Sequence, residues 1–341
     1  MAKAKKLPSG SWRVRVSTGE KDETGKYKYE SLTADTEKEA NFLALEYDLK
    51  RKQKPADMTV SEAIEKYIKA KSNVLSPSTI RGYTDIRENN LKPLMYVKLN
   101  KLNNNIIQSA INDEALNHSP KTVKNIYGLL TAVLNVYAPD IRLKIRLPQS
   151  EKRIITLLNE KQISELLKAI NGTSVEIPVL LAVWLGLRQS EICGLQWDSV
   201  DFENSVIVIK QAKVRDKNEQ IVLKTTKTYS STRIIRVPLF VMDKIKTLQR
   251  NGEFVVDING NALYKRFKRI LIKNKLPEIR FHDLRILNAS IMLKLKVQDK
   301  YAMKRGGWST PHTMKNIYQQ LFDEEQIAVD NAVDNYFYGL L

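Results

Sequence analysis

The sequence predicts a multidomain chain, mainly α-helical with small β elements. Three observations carry this. Apolar residues recur at helical spacing through most of the 341 residues. Strand-like alternation is confined to short stretches rich in β-branched or aromatic residues. Two basic connections, residues 50–55 and 139–153, break the chain into three parts. The parts are a small sheet-plus-helix module (1–54), a four-helix domain (57–145) and a mixed, mostly helical domain with a small antiparallel sheet and a tail helix (154–341).

In the first part, residues 12–16 and 27–32 alternate, and Gly19 and Gly25 sit in the polar stretch between them. This is a hairpin signal, with room for a third short strand near 31–34. Thr36 and Glu39 have capping-box spacing and open a helix to about Lys52. Arg13, Arg15 and Lys28 are interleaved with aromatics, which suits a DNA groove or an ordinary solvated sheet; the residues leave both open.

The second part reads as helix throughout. Thr59 and Glu62, Ser76 before Pro77, and Ser119 before Pro120 open three of its four helices, and the remaining one lies within 99–116. The last carries Val123, Ile126, Leu129, Leu130, Val133 and Leu134 on one side. Lys121 and Lys124 lie near its start, where backbone amides also favour phosphate. A DNA clamp and a protein-binding bundle share this pattern. The connection at 139–153 is strongly basic and is expected to be solvated or to track DNA.

The third part opens with a helix starting at Thr156 or Asn159 and reaching Ile170. A buried helix over 177–185 follows, ended by Gly186, and another begins near Arg188. Strands are expected at 206–209, 220–223 and 232–237, and helices thereafter.

Charge narrows the function. Lys and Arg number 56 against 38 Asp and Glu, a formal excess of +18, which favours a polyanionic partner. No apolar run reaches the ~18 residues of a transmembrane helix, and the N-terminus lacks the apolar core of a signal peptide. Cys193 is the sole cysteine and the histidines are His118, His282 and His312. An intrachain disulfide is therefore excluded, and a metal site or other cofactor is not expected. The single cysteine fits a reducing cytoplasm as the expected location.

One constellation suits phosphodiester chemistry. Arg188 and Arg285 carry planar guanidiniums that grip nonbridging oxygens. Glu191, three residues beyond Arg188, shares its helix face and is placed to orient it. Tyr318 is a candidate nucleophile, although a phenol with pKa about 10 needs nearby cations or a base. His282 lies within reach in sequence. Lys227, in the polar stretch between two strands, is the candidate donor to the leaving oxygen, with Lys224 second. Trp308 has an indole N–H to offer a phosphate, or is simply a core aromatic.

These residues carry a resemblance. His282-Asp283-Leu284-Arg285, Gly307-Trp308 and Tyr318 resemble the C-terminal boxes of the tyrosine recombinase (phage integrase) family. The segment from Gly186 to Glu191 resembles its first arginine box, and Lys227-Thr228 followed by Arg233 its β-hairpin lysine. The match covers about 154–322. Trp308 stands where the family most often has His, and Ile286 replaces a frequent His. The two upstream parts resemble the arm-type and core-binding DNA domains of mobile-element integrases.

The resemblance implies a site-specific recombinase of a phage or conjugative element. Tyr318 would attack a DNA phosphate to form a 3′-phosphotyrosyl link, with Arg188, Lys227, His282, Arg285 and Trp308 assisting and neither ATP nor metal needed. The tail, about 323–341, carries Val329, Val333, Tyr336, Phe337 and Leu340 at helical spacing. It either packs on its own domain or, as the family implies, docks on a neighbour in a tetramer on double-stranded DNA. The implied partners extend to an excisionase and a DNA-bending host factor. The competing readings are a type IB topoisomerase, a non-catalytic DNA-binding regulator and an RNA-binding protein.

Overall fold

A computed structural model describes the chain except residues 1–3, 22–23, 53–56, 151–154, 226–231, 316–322, 339 and 341. It divides into two compact units, Met1–Glu151 and Lys152–Leu341.

The first unit opens with β1 (Lys5–Lys6), β2 (Trp12–Lys21) and β3 (Tyr27–Ala34), an antiparallel sheet in that order. Helix α1 (Glu37–Lys52) follows, and its Glu39 amide donates to Thr36 Oγ1 at 3.2 Å, as the capping spacing predicts. Val14, Val16, Ala4 and Ala40 form a small core with Leu32 and Ala34 against it. The expected strand near residues 31–34 is the end of β3. The third strand is β1 instead, through the register Lys5↔Arg13. Two lysines carry no strand propensity, so only the pairing defines it.

Four longer helices form the rest of this unit: α2 (Val60–Lys71), α3 (Pro77–Asn89), α5 (Asn104–Asn117) and α6 (Pro120–Tyr137). A short α4 (Lys92–Met95) lies between α3 and α5. Thr59 and Glu62 close a full capping box on α2, and Ser76 and Ser119 cap α3 and α6 ahead of their prolines. Ile64, Leu94, Leu99, Ile107, Ile126 and Leu130 fill the core.

The basic connection after α6 is not free chain. Lys144 N donates to Asn104 Oδ1 at 2.9 Å and Arg146 N to Gln108 Oε1 at 2.8 Å. The two amides return bonds to Arg142 O and Arg146 O, both at 3.0 Å. Ile141, Leu143, Ile145 and Leu147 pack against the helical core. The alternation of aliphatic with basic residues pins the backbone to α5, which the reading of charge alone missed.

The second unit contains α7 (Glu160–Ile170), α8 (Glu176–Leu185), α9 (Gln189–Cys193), β4 (Val200–Asp201), β5 (Val206–Ile209), β6 (Gln211–Arg215), β7 (Ile221–Thr225) and β8 (Arg233–Arg236). Then come α10 (Leu239–Lys246), α11 (Gly260–Lys273), α12 (Asp283–Lys294), α13 (Asp299–Gly306), α14 (Pro311–Thr313) and α15 (Asp323–Tyr338). Strands β4, β5 and β8 make one antiparallel sheet, and β6 and β7 make another. The polar 211–215 strand and the two-residue β4 are invisible to hydrophobic periodicity. Strand β7 pairs with β6 rather than β8, so the strands expected at 220–223 and 232–237 lie in different sheets. Helix α8 is buried along almost its whole length and packs on α12 within a core that includes Leu181, Leu185, Phe267 and Leu284. That pairing brings the start of α9 and the start of α12 together.

Candidate active site

Two left-handed glycines deliver the site. Gly186 (φ 64°) ends α8, and Gly307 (φ 67°) ends α13. Each turns the chain sharply and is followed within two residues by a site side chain, Arg188 or Trp308. Gly186 also has no room for a Cβ, which would lie 2.6 Å from Asn288 Oδ1. Asn288, buried on α12, donates to Val183 O at 2.7 Å and Trp184 O at 3.2 Å, tying α12 to the end of α8.

Arg188 stands at the N-cap of α9. Its Nη1 donates to Glu191 Oε1 at 2.7 Å and its Nη2 to Gly307 O at 3.2 Å, while its side chain stays 37% exposed. Glu191 also accepts the Arg188 backbone amide at 3.0 Å. Glu191 thus holds Arg188 through both its guanidinium and its backbone amide.

Glu191 has a second partner. Arg233 Nη2 donates to Glu191 Oε2 at 2.8 Å, and its Nη1 reaches Oε1 at 3.3 Å. Burial pushes the Glu191 carboxyl up, but hydrogen bonds and charge from Arg233, with charge from Arg188, outweigh it and hold the group at about 2. In the sequence Arg233 stands out only as the arginine that follows the lysine motif. A signal was available: Ile235 and Val237 face inward, so period two turns Arg233 inward with them.

Arg285, on the first turn of α12, is fully buried and donates through Nη1 to Gly186 O. Its Cζ lies 4.4 Å from the centroid of the Trp308 ring, well within cation–π range. Trp308 is 5% exposed and packs on Ala289, Met292, Ala302 and Met314. Its indole nitrogen is buried, so the ring face, rather than the N–H, meets the arginine cluster.

His282 sits at the N-cap of α12. Burial lowers its pKa, the charges of Arg285 and Arg188 lower it further, and Asp283 opposes them. The ring is therefore neutral near pH 7, able to donate at one nitrogen and accept at the other. Asp283 is buried and accepts from Arg280 N at 2.9 Å and Arg280 Nη2 at 3.1 Å, so it braces the loop before α12.

The structure thus brings together Arg188, Glu191, His282, Arg285 and Trp308. An open cleft of about 840 Å³ lies beside Trp308, bordered by Arg233, Lys300, Lys304 and Ser309. Lys227 and Tyr318 lie outside the described residues. Lys224, the alternative, is in β7. In the first unit, Arg13 and Arg15 share the outer sheet face with Tyr29, whose ring lies 5.7 Å from Arg15 Cζ. Alternation turns Lys28 to the opposite face, so the three cations do not form one patch. Lys121 and Lys124 are exposed near the start of α6. Among the described residues, no cluster of His, Cys, Asp and Glu could hold a metal ion, and no helix is long and apolar enough to cross a membrane.

Residues 156–325 match the model of the phage integrase family. A tyrosine recombinase XerC-like protein of Caldanaerobacter subterraneus is 24% identical over 263 residues, covering 64% of this chain and 67% of that one. The integrase of Mycobacterium phage L5 is 24% identical over 234 residues, 63% of this chain and 62% of its own length. The matches thus span about two thirds of these relatives. The fold is similar to the Tn1549 transposon integrase solved with transposon right end DNA, with TM-score 0.66 and 20% identity over 81% of this chain and 100% of that one. It is also similar to lambda integrase bound to a core site, with TM-score 0.58 and 16% identity over 93% and 94% of the two chains. The family match over the segment that holds the arginine cluster, together with these relatives and folds, shows that the chain belongs to the phage integrase family and is a tyrosine recombinase of the integrase type.

Proposed function

We propose that this chain cuts and rejoins duplex DNA at specific sites through a 3′-phosphotyrosyl intermediate. The observation that carries the reading is the convergence of Arg188, Arg285 and His282 around the Gly186 and Gly307 turns. Two guanidiniums offer fixed positive charge to the nonbridging oxygens, where negative charge grows during attack. Tyr318 Oη forms a bond to phosphorus as the P–O5′ bond breaks. The phenol proton passes to a base, for which neutral His282 is suited, and the departing O5′ takes a proton from Lys227. A 5′-hydroxyl of the partner duplex then attacks the phosphotyrosine, releasing the tyrosine. Phosphoester bonds are conserved, so no ATP is consumed. Trp308 supports Arg285 through its ring face.

The remaining assignments follow from charge and exposure. The 57–145 helices, with Lys121 and Lys124, hold the core site, and the 1–54 module, through Arg13 and Arg15 on one sheet face, holds an arm site. The tail helix α15 leaves Val329, Val333, Tyr336 and Phe337 largely exposed, which favours docking on a neighbouring protomer in a tetramer over packing on its own unit. An excisionase and a DNA-bending host factor are further expected partners, at the bacterial nucleoid. The test is recombination between two duplexes carrying the element's attachment sequences. Joined products at those sites support the proposal. Relaxation of any supercoiled plasmid without strand exchange would indicate a topoisomerase, and tight binding without cleavage a regulator.

A further inference from the structure

We propose that Arg233 is a positioning residue for cleavage, acting through Glu191 to keep the positive charge of Arg188 available to the scissile phosphate. The inference rests on the recombinase reading above.

Arg188 and Glu191 alone would form a closed ion pair with no net charge. A phosphate approaching Arg188 would then also meet the adjacent carboxylate, and the attraction would be largely cancelled. Arg233 changes that balance. Its side chain is only 4% exposed and Glu191 only 6%, so the pair sits in a poorly solvated place where charge acts strongly. With Arg233 on Oε2 and Arg188 on Oε1, one carboxylate is shared between two guanidiniums and the group carries a net +1. Arg188, at 37% exposure, is the member open to a substrate. Arg233 already directs both terminal nitrogens to Glu191 and its Nε to Arg305 O, so it acts through Glu191 rather than on DNA.

The surrounding geometry holds this arrangement. Arg233 Nε donates to Arg305 O at 3.3 Å. A Cβ on Gly307 would lie 2.8 Å from Arg233 Nη1, so the glycine makes room for the guanidinium as well as turning the chain. Gly307 O in turn accepts from Arg188 Nη2 at 3.2 Å. The four residues thus form a ring, Arg188 to Glu191 to Arg233 to Gly307 and back. Arg233 is also the first residue of β8, six residues after Lys227 in the sequence.

The experiment compares wild type, Arg233→Gln, Arg233→Lys and the double variant Glu191→Gln/Arg233→Gln in single-turnover cleavage at saturating DNA. Two nicked substrates are used, one with the normal scissile phosphate and one with a neutral methylphosphonate there. Arg233→Gln is expected to slow covalent-adduct formation on the phosphate by on the order of 10-fold, less than the loss of a direct donor, with DNA affinity within about threefold. Arg233→Lys and the double variant are expected to recover most of the rate, because each restores a net positive group. On the methylphosphonate the deficit of Arg233→Gln should shrink to under about threefold, because the ground-state charge is gone and only one nonbridging oxygen is left on which charge grows. The ratio of the two rates within one variant does not depend on the fraction folded. An equal deficit on both substrates, or a wild-type rate for Arg233→Gln, would overturn the assignment while leaving the recombinase reading intact. Failure of the wild type to form any adduct on attachment-site DNA would overturn both.

Discussion

Arg285 and Trp308 are stacked, with the guanidinium carbon 4.4 Å from the centroid of the indole ring. A histidine at this position would offer a titratable hydrogen bond. The indole instead offers a broad, electron-rich face to a cation that is completely buried. Replacing Trp308 with Ala should therefore cost about 3–5 kcal/mol of stability and slow cleavage through a misplaced Arg285. Trp308→Phe keeps an aromatic face and should retain more of both. Thermal unfolding and single-turnover cleavage check the two effects separately.

The glycines before this tryptophan are each required for a different reason. A Cβ on Gly306 would overlap the Trp308 ring, and one on Gly307 would crowd the Arg233 guanidinium. Gly307 also sits at φ 67°, where a side chain costs roughly 1–2 kcal/mol. Gly307→Ala should destabilise the catalytic unit by at least that amount, and Gly306→Ala should change the Trp308 fluorescence environment. Unaltered unfolding and emission in both variants would contradict this packing.

The pH dependence has a definite sign. His282 is held below its usual value near 6.5, first by burial and then by Arg285. Below that value the unfolded chain binds a proton that the folded chain resists, so folding stability falls as pH drops beneath about 6.5. Glu191 acts at lower pH. Its carboxyl is held at about 2 against an ordinary 4.5, so the stability it supplies above 4.5 is lost as pH falls toward 2. His282→Gln should flatten the first part of the profile and leave the second. Denaturant midpoints across pH 4–8 read the His282 effect; an unchanged slope in the variant would contradict it.

The tail helix α15 touches the rest of its unit through Lys294, whose ammonium lies 2.9 Å from Glu325, while its apolar residues face outward. Deleting residues 325–341 should leave binding of one protomer to one half-site within a few fold. It should lower assembly of the full synapse by tenfold or more, an estimate on the scale of a lost docked helix. Gel-shift titration with one and with two half-sites distinguishes the effects.

The parts of the site legible in the sequence are those fixed by local spacing. Arg188 and Glu191 meet because they are three residues apart at the start of a helix. Asn159, Ser76 and Ser119 cap their helices for the same local reason. Arg233 was passed over because its partner is 42 residues away, and only the sheet brings it to Glu191. From the sequence Trp308 is either an N–H donor or a core aromatic, and only tertiary packing decides, burying the nitrogen and presenting the ring. Strand β1, made of two lysines, and the polar β6 exist through their pairing, so propensity could not announce them. The same limit hid the pairing of β7 with β6.

The most direct test of the central claim uses a suicide DNA duplex, nicked near the core site, incubated with the full chain in EDTA. The account predicts a denaturant-resistant protein–DNA adduct whose peptide maps to Tyr318, present in wild type and absent in Tyr318→Phe, with DNA binding retained by both. An adduct that persists in Tyr318→Phe, or that maps elsewhere, would contradict the assignment of the nucleophile. Tight binding to the true attachment sequence with no adduct at all would contradict the claim that this chain cleaves DNA.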